Sequence, residues 1–130
     1  MIDNYRKFVA LNFILYLLYI CSPLIWPYSD EVNEIYKWRG HGGSISDDSV
    51  INVLMISASL VSFFGLFFLK DWGRRLMLGI TVLYCFSIPL WGFYVARPLE
   101  VFLSYWSGTC SVVLLVLSYT SLGKEFEKEK

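Results

Sequence analysis

Phe67 to Gly79, FFLKDWGRRLMLG, is a polar knot between two long apolar runs. Lys70, Asp71, Arg74 and Arg75 are gathered around Trp72 and Gly73. Residues from about 50 to 69 are almost continuously apolar, and residues from about 76 to 96 are apolar again. Runs of about 20 residues, at 1.5 Å per residue, match the roughly 30 Å hydrocarbon core of a bilayer. So short a turn makes the two runs antiparallel neighbours. Its Lys and Arg residues mark it as cytoplasmic, because basic residues close to span ends are retained on that side.

Composition agrees. The chain has 130 residues, room for one domain. Its 56% hydrophobic content exceeds the 45–50% apolar usage typical of soluble domains, and mean hydropathy is +0.53. Formal charge is zero, which removes the basic field that nucleic-acid binding needs. Cys21, Cys85 and Cys110 all lie inside apolar blocks, in no C-x-x-C pair, and read as small packing residues.

Outward from the knot, Arg6 and Lys7 precede an apolar run from about Phe8 to Trp26. No small-x-small cleavage site follows it, so it reads as a retained first span rather than a signal peptide, with Pro23 tolerated near its outer end. The fourth span follows Arg97-Pro98-Leu99-Glu100, a tight outer turn in which Pro98 suits the first position of a helix. The tail from Gly123 alternates Lys and Glu and is expected to be a frayed, solvated helix end.

The expected fold is therefore an all-α membrane protein. It is an antiparallel bundle of four transmembrane helices, with N and C termini cytoplasmic and spans at about 8–27, 50–69, 76–96 and 100–122. The outer loop covers about 28–49. Arg6, Lys7, Lys70, Arg74, Arg75, Lys124, Lys128 and Lys130 then lie inside, against Lys37, Arg39 and Arg97 outside. That asymmetry is the positive-inside pattern. Trp26, Tyr28, Trp91, Tyr94, Tyr105 and Trp106 gather as an aromatic belt at the outer interface, and Trp72 marks the other.

Small residues are expected to seat the helices. Candidates are Ala58, Ser62 and Gly65 in the second span, Gly92 and Ala96 in the third, and Ser104, Gly108, Ser111 and Ser118 in the fourth. A homodimer face is their alternative use.

No Asp, Glu, Lys, Arg or His interrupts the apolar blocks. Ionisable residues kept at the bilayer centre mark ion and proton pathways, so their absence disfavours a proton-coupled transporter. Asn12 is expected to make an interhelical hydrogen bond and Pro89 to kink the third span. His41, the single histidine, sits among glycines, and no hydrolase, zincin or P-loop pattern occurs. No enzyme is expected.

What remains is the outer loop. Val32, Ile35 and Tyr36 fit a short surface helix, although residues 34–39 also fit a strand. Asp30 is a candidate cap for that helix, and Asp47 or Asp48 for the second span. Asp30, Glu31, Glu34, Asp47 and Asp48, interleaved with Tyr36, Trp38 and Arg39 and flanked by Arg97 and Glu100, form a candidate recognition surface. Asp30, Glu34, Asp47 and Asp48 could alternatively hold Ca²⁺, although EF-hand spacing is lacking. No other cofactor is expected.

The span layout and the turn Lys70-Asp71-Trp72-Gly73-Arg74-Arg75 resemble the membrane-embedded bacteriocin immunity proteins. The likeness is to the four-span type protecting against colicin M-like toxins such as pyocin M. The resemblance implies a multi-pass protein of the bacterial inner membrane. Its partners would be membrane lipids and a protein toxin met at the periplasmic face, where such toxins cleave the lipid-linked peptidoglycan precursor. Immunity to a pore-forming toxin through intramembrane contacts, and an accessory subunit of a membrane complex, are the alternatives.

Overall fold

The apolar runs fold as helices, and among the described residues there is no strand. The structure, a computed structural model, describes residues 1–37, 42–44, 50–91 and 96–127. Among these residues six α-helices follow in order: α1 Ile2–Ile25, α2 Asp30–Tyr36, α3 Val50–Phe67, α4 Asp71–Ser87, α5 Pro98–Tyr119 and α6 Gly123–Glu127. A 3₁₀ turn, Ile88–Leu90, extends α4.

Among the described residues three helices, α1, α3 and α5, are long and apolar enough to cross a membrane. The expected third span takes a different form. Its helix begins at Asp71, not near Leu76, because Arg74 and Arg75 each pair with Asp71 at helical spacing and so need not remain in the loop. Continuous α-helix stops at Ser87, where Pro89 in the next turn supplies no amide donor, and the chain tightens to 3₁₀. The other bounds move less, except that α1 begins at Ile2, so Arg6 and Lys7 are helical.

Helix α1 packs against both α5 and α3, α3 pairs with α4, and α4 meets α5. One end of this bundle carries Ile2, Glu127 and the α3–α4 turn (the terminal end). The other carries α2 and the start of α5 (the loop end). The apolar core lies toward the terminal end, where Tyr5, Val9, Phe63, Leu66, Met77, Leu114, Leu115, Leu122 and Phe126 cluster. Outward faces remain apolar on every long helix, with Leu11, Ile14, Val53, Leu54, Leu83, Phe86, Phe102 and Val116 exposed. Such a surface suits lipid, not water.

The α3–α4 hairpin turns through a Schellman motif. The Lys70 amide donates to the Gly65 carbonyl at 2.8 Å and the Leu69 amide to that of Leu66 at 3.1 Å. Leu69 takes the left-handed position at φ 56°, which Gly usually fills, while its side chain packs on the core. Just inside the turn the helices touch backbone to backbone. A Cβ on Gly65 would lie 2.5 Å from the Gly73 Cα, and one on Gly73 equally close to Gly65. Ser62, one turn deeper, is buried against the Met77 sulfur at 3.4 Å.

Of the small residues expected to seat α5, Ser118 is buried and Ser111 lies 2.9 Å from the Asn12 amide of α1, but the stripe does not pass through Gly108. Gly108 points to open space, and the buried face runs through Leu103, Ser107, Cys110, Leu114 and Ser118. The tail also departs from expectation. Among the described residues it is not a frayed end: α6 folds back so that Phe126, at 0% exposure, meets the Tyr5 ring edge-on at 6.0 Å.

Candidate functional site

The polar groups of the chain collect at three levels of the bundle. At mid-depth, Asn12 is wholly buried, and its amide lies 2.9 Å from Ser111 Oγ and 3.0 Å from Ser107 Oγ. This is the expected interhelical bond, and it joins α1 to α5. Away from water an unpaired amide is costly, so both hydroxyls are drawn to it.

At the terminal end Arg74 is 5% exposed. Its Nε donates to Asp71 Oδ1 at 2.6 Å and its Nη1 to the Ser118 carbonyl at 3.2 Å, while Glu127 stands 3.6 Å away. The guanidinium lies 4.8 Å from the Tyr119 ring and 5.3 Å from that of Phe126. Ion pairing and cation–π contact together compensate its burial. Asp71 also holds the exposed Arg75 at 2.6 Å.

The loop end carries the site that the sequence singled out. Ser29 is the N-cap of α2, and Asp30 and Glu31 occupy its first turn, where the positive end of the helix dipole favours them. The helical alternative for this segment is thus the one adopted, and Asp30 sits inside the helix instead of capping it. Val32 and Tyr36 are half-buried, whereas Asp30, Glu31 and Glu34 are exposed. Tyr36 rests on the Tyr28 ring, centroids 4.5 Å apart.

Tyr28 leads to the node that anchors this end. Its hydroxyl donates to Glu100 Oε1, an oxygen that also accepts from Ser22 Oγ at 3.3 Å and from Arg97 Nε and Nη2 at 3.2 and 2.9 Å. Glu100 Oε2 accepts the Arg97 amide at 3.1 Å. This is the return bond from the third helical position to the N-cap residue, with Pro98 at the start of the helix, where no amide is needed. Arg97 in turn donates to the carbonyls of Ser22, at 3.2 Å, and Trp26, and it covers the Tyr28 ring at 4.1 Å. The C-terminal carbonyls of α1 attract a cation there.

Glu100, at 3% exposure, and Arg97 are therefore occupied inside the node rather than spread over an outer face. The partners that sequence reasoning missed are Ser22 and Tyr28. The available signal was the Arg-Pro-x-Glu spacing, which places a carboxylate over its own N-cap. Trp38, Arg39, His41, Asp47 and Asp48 lie outside the described residues, so the structure brings together Asp30, Glu31, Glu34 and Tyr36 on α2 with Arg97 and Glu100 beneath. The loop touches the bundle once more where the Ser44 amide donates to the Leu90 carbonyl at 2.8 Å. Among the described residues no group of three His, Cys, Asp or Glu side chains is placed to hold a metal.

No protein-family model, no curated protein and no solved structure matches this chain.

Proposed function

We propose that this chain is a non-enzymatic, multi-pass protein of the bacterial inner membrane that shields its cell from a colicin M-like bacteriocin. The bundle anchors and orients a periplasmic recognition surface. In this reading α4 and its 3₁₀ turn form the third of four crossings, about 31 Å long at 1.5 and 2.0 Å per residue. Both termini then face the cytoplasm, as the distribution of Lys and Arg favours.

The observation that carries the proposal is the mounting of α2. Its carboxylates Asp30, Glu31 and Glu34 face outward, while its Tyr36 side is fixed through Tyr28 to the buried Arg97–Glu100 pair. An acidic surface held on a rigid base loses little ordering entropy when a basic partner docks. Trp38, Arg39, Asp47 and Asp48 extend the same loop in sequence. Confinement to the membrane reduces the encounter with a toxin there to two dimensions.

The test is challenge of a sensitive strain expressing the chain. Reversal of Asp30, Glu31, Glu34, Asp47 and Asp48 to Lys should abolish protection against colicin M-like toxins and leave membrane insertion intact. Protection that survives all five reversals overturns the loop mechanism. A second reading rests on the exposed apolar faces, such as Leu78, Val82, Leu83 and Phe86 of α4. These fit a partner inside the bilayer, either a pore-forming toxin or a larger complex. It expects span-surface substitutions to matter and loop reversals to be silent.

A further inference from the structure

We propose that the cleft between the start of α1 and the end of α3 binds the headgroup of a glycerophospholipid carrying one net negative charge. Asp3, Arg6, Lys7 and Ala10 recur at the spacing of a single helical face, and with Phe67 they line a cleft of about 350 Å³. Arg6 is held in place there. Its Nε donates to the Phe67 carbonyl at 3.2 Å, one of the acceptors left without an intrahelical partner at the end of α3. Its guanidinium carbon lies 6.0 Å from the Phe67 ring.

That single bond leaves both terminal nitrogens of the guanidinium available. Among the described residues no carboxylate lies within ion-pair distance of Arg6 or Lys7. A fixed Arg beside an exposed Lys matches a phosphodiester, with the Arg supplying directed hydrogen bonds and the Lys a mobile charge. Asp3 brings the sum of the lining charges to plus one. It also offers an acceptor to the hydroxyls of a glycerol headgroup and opposes a doubly charged phosphate.

Below the charges the surface is apolar and aromatic. Phe13 contacts Phe64 at 5.8 Å, and Phe64, Phe67 and Phe68 are all exposed along the end of α3. An acyl chain fits that ledge, whereas a free phosphate has no use for it. Basic pockets between spans at a leaflet surface bind anionic headgroups by the same physics.

The proposal rests on α1 and α3 crossing the bilayer, so flotation with vesicles is measured alongside lipid selectivity. Purified full-length chain in detergent is mixed with phosphatidylglycerol, phosphatidylethanolamine and phosphatidylcholine of identical acyl chains, and retained lipid is counted by native mass spectrometry. Retention of phosphatidylglycerol should exceed that of the other two by about fivefold or more, the factor expected per basic residue near an anionic surface. K7Q, which alters an exposed side chain, should lower the preference, and R6Q/K7Q should remove it. K124Q should leave it unchanged, and soluble glycerol phosphate should not displace the lipid. Equal retention of the three lipids, a preference that persists in R6Q/K7Q, or displacement by glycerol phosphate overturns the site. A chain that floats with vesicles but shows no preference defeats this proposal alone, and one that does not float defeats the membrane reading as well.

Discussion

Arg97 Nη2 stands 2.9 Å from Glu100 Oε1, and the same guanidinium reaches the last carbonyls of α1 and lies over Tyr28. One ion pair thus joins three pieces of chain: the end of α1, the start of α5 and, through Tyr36, the acidic helix α2. Removing the Arg97 side chain leaves the Glu100 carboxylate buried without a cation, held by the Ser22 and Tyr28 hydroxyls and the residue-97 amide. Breaking a buried pair from one side costs about 3–5 kcal/mol, whereas replacing both partners by apolar groups costs much less. R97Q should therefore lower stability in mixed micelles by about 3 kcal/mol, because Arg97 is partly exposed, and R97M/E100L should lose clearly less. A double-mutant cycle over R97M, E100L and R97M/E100L measures the coupling. Trypsin cleavage after Lys37, just past α2, should accelerate in R97Q.

The contact between Gly65 and Gly73 sets the second prediction. Each would-be Cβ meets backbone atoms at 2.5 Å, and backbone has no rotamer by which to move aside. G65A and G73A should each destabilise the chain by about 1–3 kcal/mol, the usual range for overpacking. G79A and G108A are the controls. Both glycines face open space, so a methyl there should be neutral, or stabilising by up to about 1 kcal/mol from helix propensity. Reversible unfolding of the four variants separates a close crossing from a general intolerance of alanine.

Much of this geometry was legible in the chain, for identifiable reasons. Lys70 to Arg75 announced the hairpin because charges are excluded from the hydrocarbon, and Asn12 announced an interhelical bond because a buried amide must find a partner. Val32, Ile35 and Tyr36 allowed α2, although so short a pattern fitted a strand too. The failures came where a residue plays two parts. Asp71, Arg74 and Arg75 look like loop, yet both arginines pair with Asp71 at helical spacing and so begin a helix. Glu100 looks like a turn residue, yet its return bond to the Arg97 amide draws it inside. In α5 the small residues suggested a stripe through Gly108, but contact with α1 follows Asn12, which turns Ser107 inward and Gly108 outward. Four of the ten residues of the expected recognition surface, Trp38, Arg39, Asp47 and Asp48, lie outside the described residues.

Asn12 gives the third prediction. The N12L variant removes the only amide between α1 and α5 among the described residues, but Ser107 and Ser111 can turn back to carbonyls of their own helix. The loss should be modest, about 0.6–1.7 kcal/mol, the range found for interhelical hydrogen bonds in membranes. N12D should cost more, since among the described residues no cation is bonded to this pair of serines. Its deficit should shrink as pH falls and the carboxyl takes up a proton. Unfolding midpoints at two pH values check both statements.

Phe126 carries the last prediction, because it decides whether α6 belongs to the bundle. The Lys and Glu residues around it give the tail a solvated look, but Phe126 fills the space between Tyr5 and the Arg74 guanidinium. Truncating a buried Phe to Ala costs about 3–5 kcal/mol, from lost transfer energy and the cavity left behind. F126A should fall in that range and should also uncover one face of Arg74, loosening α6 from α5. Carboxypeptidase digestion, followed by intact mass, should then proceed to about Leu122 in F126A but stall near Phe126 in the parent chain. F126L, which keeps most of the volume, should resemble the parent in digestion while losing the edge-on contact with Tyr5. An unfolding midpoint unmoved by F126A would mean that α6 contributes nothing to the fold, and that Arg74 is held by Asp71, the Ser118 carbonyl and the Tyr119 ring.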